Sequence, residues 1–291
     1  MKPAKFDYHC PVTLDEAAAI LARYNGEARV LAGGQSLVPM MNFRLATPAA
    51  IIDLNRIPGL AAIAAADGVI AIGAMARQRQ LEFSPTIREH LPLLSEALRW
   101  VGHLPTRTRG TIGGSIAHAD PAAEIPMILQ ALAGEVVVRG PQGERSIAAP
   151  HIFLGPLTTA LNPDEILIEV RFPVMPPRAG HAIEEFARRK GDFAIAAITV
   201  MVVQDGERCT TARLATAGIG PVPVRLGEAE GILEERGLGD AAIAAAAQRA
   251  AELVEPMSDH NASADFRRHL TGVLTRRAVA KARDRHDVRT G

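Results

Sequence analysis

Two glycine pairs set among small residues are the positions whose types and spacing suit the binding of an anion: Leu31-Ala32-Gly33-Gly34-Gln35-Ser36-Leu37 and Thr111-Ile112-Gly113-Gly114-Ser115. A phosphate oxygen reaches several successive backbone N–H groups only where no Cβ blocks the approach, so each pair predicts half of a clamp for a diphosphate. A lone Gly-Gly is usually a plain tight turn; two of them, flanked by the hydroxyls of Ser36, Thr111 and Ser115, favour the clamp. Neither is a Walker loop, since no Gly-Lys-Ser/Thr follows, and no Gly-x-Gly-x-x-Gly opens a helix after a strand. Nucleotide-dependent phosphoryl transfer and a Rossmann site are disfavoured. Ser115, His118 and Asp120 have the types of a hydrolytic triad, but triad members converge from distant segments and no nucleophile elbow is present. A loop whose polar atoms satisfy the backbone is the reading for His118, and metal binding by His118 and Asp120 is not expected.

These loops need elements to hold them. Thr13-Leu14-Asp15-Glu16 has the spacing of a capping box, which predicts a helix with Leu14, Ala17, Ala18, Leu21 and Ala22 on one face and Asn25-Gly26 as its stop. Arg29-Val30-Leu31 reads as a buried strand ending on the first glycine pair, where backbone donors are free. Ile51-Ile52-Asp53-Leu54 reads as a second buried strand that closes a first lobe. Asp67-Gly68 predicts a hairpin within 61–74. Residues 77–102 read as a helical stretch interrupted by Pro85 and Pro92, 122–133 as a helix, and 135–138 and 165–172 as strands. Met175-Pro176-Pro177 is the linker, because paired prolines favour extended backbone. Beyond it the pattern predicts an antiparallel meander (182–189, 194–204, 208–218) and helices at about 225–236, 240–254 and 262–286.

At 291 residues the chain is long enough for two or three subdomains. Its zero net charge supplies no diffuse positive field, so neither nucleic acid nor a membrane surface is favoured as a partner. Two cysteines, Cys10 and Cys209, cannot hold a four-cysteine cluster, so any iron–sulfur centre belongs to another polypeptide. The N-terminus lacks the apolar core of a signal peptide and no stretch approaches a membrane span, which makes a cytoplasmic protein the expectation.

The run from Ala32 to Leu37, continuing through Pro39, Met40, Arg44-Leu45, Pro48 and Ile52-Asp53-Leu54, resembles the FAD-binding medium subunit of the molybdenum hydroxylases, the xanthine dehydrogenase and carbon monoxide dehydrogenase family. So does Arg109-Gly110-Thr111-Ile112-Gly113-Gly114-Ser115-Ile116-Ala117-His118-Ala119-Asp120-Pro121-Ala122-Ala123-Glu124-Ile125-Pro126. Phe186-Ala187-Arg188-Arg189, leading to Gly191-Asp192-Phe193-Ala194-Ile195-Ala196, is similar to the start of that family's C-terminal domain. The three blocks stand in the family's order and span nearly the whole chain.

The resemblance implies an α+β protein. A two-lobed FAD-binding domain of the vanillyl-alcohol-oxidase-like (PCMH) type would occupy 1–176, with lobes at about 1–57 and 58–176. A smaller domain at 177–291 would carry a three-stranded antiparallel sheet and helices. The resemblance also implies FAD as cofactor, its diphosphate gripped by Ala32, Gly33, Gly34, Gln35, Ser36 and Leu37 together with Thr111, Ile112, Gly113, Gly114 and Ser115. Glu124 would approach the ribose or ribityl hydroxyls and Leu167 would line the adenine side. Asp192 and Phe193 complete the cofactor set, with Phe193 covering part of the isoalloxazine ring. Gln35 stands where many relatives carry histidine; glutamine still offers a donor. The implied function is electron transfer from the [2Fe–2S] clusters of a small partner subunit to an external acceptor, beside a large molybdopterin subunit, in a dimer of heterotrimers. No catalytic side chain is expected here, because the flavin carries the chemistry. The alternatives are a self-contained flavin oxidase or reductase and a cofactor-free scaffold.

Two basic groups are left over. Arg188, Arg189 and Lys190 read as an exposed strand end. Arg267, Arg268, Arg276, Arg277, Lys281, Arg283 and Arg285 read as a solvated helix face, with docking to an acidic subunit as the alternative.

Overall fold

A computed structural model describes residues 1–288. The chain opens with β1 (Asp7–His9), α1 (Leu14–Arg23), β2 (Ala28–Leu31), α2 (Leu37–Asn42) and β3 (Ala50–Asp53). The strands pair in parallel in the order β1-β3-β2, each helix serving as a crossover. Thr13 caps α1 by accepting from the Glu16 N–H at 3.2 Å, while the Glu16 carboxylate accepts from the Val12 N–H, one residue ahead of the cap. Asn25 and Gly26, both at positive φ, end the helix as expected. Ala17, Leu21, Ala28, Ala50 and Ile52 form a small core, to which Met75 and Ile166 are added from later in the chain.

The second lobe begins with the hairpin β4 (Ile63–Ala66) and β5 (Val69–Gly73), turned at Asp67 and Gly68 with φ of 50° and 75°. Next come α3 (Gln78–Phe83), α4 (Pro85–His90), α5 (Pro92–Ala97), α6 (Leu104–Arg109), α7 (Ile112–His118) and α8 (Glu124–Ala131). They are followed by β6 (Glu135–Gly140), β7 (Gly143–Ala148), β8 (Phe153–Gly155), β9 (Thr158–Thr159) and β10 (Ile166–Pro173). The antiparallel sheet runs β4-β5-β10-β6-β7. Residues 77–102 are three short helices, because a proline lacks an N–H and is accommodated only in a first turn, where Pro85 and Pro92 both sit. Helix α6 was not foreseen. Nor was the setting of the second glycine pair: Gly113 and Gly114 lie in the first turn of α7, with Thr111 as its N-cap.

The C-terminal part is β11 (Gly180–Phe186), β12 (Ala196–Asp205), β13 (Arg208–Ala217) and β14 (Val224–Arg225), then α9 (Gly227–Arg236), α10 (Asp240–Leu253) and α11 (Ala264–Val288). The expected three-stranded meander is present, widened by the two-residue β14 at its edge. Alternation along its strands covers both faces. Ile198, Val200, Val202 and Leu214 pack under the three helices, whereas Ile183, Ala197, Met201 and Ala215 join the core of the second lobe.

Helix α11 is less solvated than its arginines suggest. Arg267 is buried, donates to the carbonyls of Ile195 and Gly218, and pairs with Asp259 at 2.7 Å. Lys281 reaches Glu184, Arg283 reaches Asp240 and Arg285 reaches Glu96; Arg276 and Arg277 remain exposed. Among the described residues, no helix is long and apolar enough to cross a membrane.

Candidate functional site

A cleft of about 1320 Å³ lies where the two lobes and the C-terminal part meet. Its size exceeds the usual range for a drug-sized ligand and suits a long one. Ala32, Gly33, Gly34, Gln35, Ser36 and Leu37 line one wall, at the carboxyl end of the parallel strand β2, where ligands of open parallel sheets gather. Among the described residues, nothing accepts from the backbone N–H groups of Gly33, Gly34, Gln35, Ser36 or Leu37; the next one along, Val38, donates to the Gly34 carbonyl at 3.1 Å. The loop is held in shape from its own polar atoms. The Gln35 amide donates to the Gly33 carbonyl at 3.0 Å, and Asn55 donates to the Ala32 carbonyl at 3.0 Å. Gly34 has φ of 72°, a conformation costly for other residues.

The second glycine pair stands against the first. A Cβ on Gly33 would collide with the carbonyl of Arg109, and one on Gly114 would meet the Ala32 Cβ at 3.5 Å. Its donors, however, are taken. The N–H groups of Ile112 and Gly113 donate to the carbonyls of Ala76 and Ala74 at 3.1 and 2.9 Å. Those of Gly114 and Ser115 go to the Thr111 hydroxyl and carbonyl at 3.0 and 3.2 Å. Gly113 is glycine because a Cβ there would come within 2.5 Å of the Ala74 Cβ. What faces the cleft from this side is Thr111, Gly113, Gly114 and Ser115, while Ile112 is buried in the core of the second lobe.

The remaining sequence-derived residues all line the cleft: Glu124 in the first turn of α8, Leu167 on β10, and Asp192 with Phe193 in the loop before β12. Asp192 accepts from Arg189 at 3.1 Å, and Phe193 is 68% exposed at the rim. Glu124 is 7% exposed; burial, then the charge of Asp120, pushes its carboxyl up to about 7 against its own backbone N–H and Arg107. Ser115, His118 and Asp120 also line the cleft. No hydrogen bond joins any two of them, and Asp120 is occupied with the Ala122 N–H at 2.9 Å.

Gln78 and His103 belong to the same wall without any signal in the sequence. The Gln78 side-chain oxygen is buried with no partner among the described residues, against Gly110. Helix α6, which carries the chain into Gly110 and Thr111, is anchored by Arg107, whose guanidinium pairs with the buried Glu82 at 3.1 Å and donates to the carbonyls of Val101 and Gly102.

Residues 4–175 match the family model described as the FAD binding domain in molybdopterin dehydrogenase, and residues 181–282 match the CO dehydrogenase flavoprotein C-terminal domain. The chain belongs to this family of FAD-binding medium chains. It is 41% identical over 283 residues to the 6-hydroxypseudooxynicotine dehydrogenase complex subunit alpha of Paenarthrobacter nicotinovorans, covering 97% of this chain and 96% of the relative. It is 36% identical to the carbon monoxide dehydrogenase medium chain of Hydrogenophaga pseudoflava, covering 97% and 98%. The solved carbon monoxide dehydrogenase from that organism superposes with a TM-score of 0.96 at 37% identity, over 98% of this chain and 99% of the other. Quinoline 2-oxidoreductase from Pseudomonas putida 86 gives 0.94 at 34% identity, over 98% and 100%. As a family member the chain is an oxidoreductase subunit whose cofactor is FAD. The cleft fits such a ligand: successive free N–H donors for a diphosphate, and an unpartnered buried amide oxygen and hydroxyl side chains beside them.

Proposed function

We propose that this chain is the electron-transferring subunit of a molybdenum hydroxylase-type dehydrogenase complex and that the FAD diphosphate rests on the loop 32–37. The observation that carries this is the row of N–H groups from Gly33 to Leu37, which have no acceptor among the described residues and belong to residues that line the cleft. Successive backbone donors without an acceptor suit a phosphate. Thr111 and Ser115 bring hydroxyls from the opposite side, and Gly113 and Gly114 let that side approach closely. Glu124 meets the sugar or ribityl hydroxyls, Leu167 forms an apolar wall, and Asp192 and Phe193 stand at the entrance. Ile112 contributes packing behind the site. When bound, FAD supplies the ability to accept electrons singly and pass them on in pairs. The chain's own residues bind it, orient it and restrict access to it.

The assembly we propose pairs this chain with a small [2Fe–2S] subunit and a large molybdopterin subunit as a dimer of heterotrimers in the cytoplasm. Within the chain we propose a boundary between 176 and 177, with the first domain divided near 57. The names of relatives as medium chains and as a complex subunit support the assembly.

The test is the absorbance spectrum of the purified full-length chain. Flavin bands and FAD released on denaturation are expected, and Gly34→Glu is expected to fold without colour because a side chain at φ of 72° distorts the loop and adds a negative charge beside its free donors. A folded Gly34→Glu protein that is still yellow rejects the loop assignment. Phe193→Ala is expected to change the rate at which an external oxidant reoxidises the reduced protein; identical kinetics in stopped-flow mixing reject its place at the ring. Steady turnover of a small molecule by the isolated chain would favour a self-contained oxidase or reductase instead.

A further inference from the structure

Behind the cleft, two carboxyl groups lie within electrostatic reach of each other at the seam between the second lobe and the C-terminal sheet. Glu124 lines the cleft from the start of α8, and its carboxyl forms no hydrogen bond or ion pair with another described side chain. Glu185 comes from β11, where it stands opposite Ala197 of β12. Strand alternation puts it on the face of Ile183, toward the second lobe, whereas Ala182 and Glu184 face α11. One oxygen of Glu185 is buried without a partner among the described residues.

We propose that Glu124 and Glu185 are a proton-holding pair, and that seating FAD in the cleft takes up a proton there, so that affinity for FAD falls as the solution becomes more alkaline. This rests on the reading of the cleft as the FAD site.

Among the described residues, no cation is ion-paired with either carboxyl. On the Glu124 side, Asp120 adds a like charge and His118 of α7 lines the same cleft. Arg107 is within electrostatic reach but is committed to Glu82 and two carbonyls. On the Glu185 side, Glu96 of α5 gathers His181, Lys281 and Arg285, and Lys281 also reaches Glu184 on the opposite face of β11. Burial accordingly pushes Glu185 up to about 8, with the charge of Glu124 as the second cause. A ligand laid over Glu124 excludes solvent from the pair and offers hydroxyl oxygens that accept from the protonated carboxyl, which makes charge there costlier still. By linkage, a ligand that favours the protonated pair draws the missing proton from solvent and binds more weakly where that proton is scarce. No electron moves in this step. Glu124 touches the ligand; Glu185 acts through it as a positioning residue.

The test is FAD titration of the full-length apo chain from pH 6 to pH 9, followed by fluorescence, with calorimetry in two buffers of different ionisation enthalpy to count protons. Wild type is expected to lose affinity by at least about tenfold across that range and to take up protons near pH 8. Glu185→Gln, which lies outside the cleft lining, is expected to lessen the slope, and the double variant Glu124→Gln with Glu185→Gln to abolish it. Unchanged affinity from pH 6 to pH 9, or calorimetry showing no proton uptake by wild type, overturns the pair; the proton count needs no variant to fold. The same slope in Glu185→Gln also overturns it. If wild type binds no FAD at any pH, or Gly34→Glu binds as well as wild type, the cleft assignment is what fails.

Discussion

At Gly33 a methyl group would drive into the Arg109 carbonyl, so the residue that looks like room for a phosphate is also what lets two loops touch. The free donors after β2 were legible because a short apolar strand ending in Gly-Gly leaves N–H groups without a partner at a known point. The exchange of roles at the second pair was not, since the carbonyls of Ala74 and Ala76 that take the N–H groups of Gly113 and Ile112 come from a segment some forty residues earlier. The buried acids make the prediction at this scale. Burial raises Glu124 from 4.5 to about 7 and Glu185 from 4.5 to about 8, so the contribution of each to stability is full below its unfolded value and is lost as pH rises through the folded one. The melting temperature of the cofactor-free chain is therefore expected to decline between about pH 5 and pH 8. Glu124 alone accounts for on the order of 3 kcal/mol as an upper bound. A melting curve that rises over that window contradicts the assignment.

Among the elements, α7 depends on its cap. Thr111 accepts from the Gly114 N–H, and two glycines in the first turn of a seven-residue helix leave little other support. Thr111→Ala is expected to cost about 1 kcal/mol in urea unfolding and to weaken FAD retention, because Thr111 also lines the cleft. Stability and retention both at wild-type levels would discard the double role. The capping box of α1 and the hairpin at Asp67-Gly68 could be read directly, as each is specified by residues a few positions apart. Helix α6 could not, because what holds it is the pairing of Arg107 with Glu82, and a contact between segments leaves no periodic trace.

At the scale of the molecule, the C-terminal sheet is sealed on both sides and a cluster of charges crosses the seam. Glu96 of α5 accepts from Arg285 of α11 at 2.5 Å and draws in Lys281 and His181. Glu96→Ala is expected to destabilise the protein by about 1 kcal/mol by removing the carboxylate that Arg285 grips, while Lys281 keeps Glu184 and Arg285 keeps the His181 carbonyl. Amide exchange should quicken in α11 before it does in β6 or β10. Equal protection throughout would show that the cluster carries no weight. The meander and its helices were legible as elements, but their second covered face was not, because Ile183, Ala197 and Met201 are ordinary strand positions until another part of the chain lies on them.

The first lobe closes its small core on Met75 and Ile166, the latter more than a hundred residues beyond its last strand. A nascent chain leaving the ribosome would present β1 to β3 early and yet keep that lobe unfinished until β10 emerges. The cradle would thus be among the last parts to set, and a polypeptide truncated before β10 should engage chaperones and retain no cofactor.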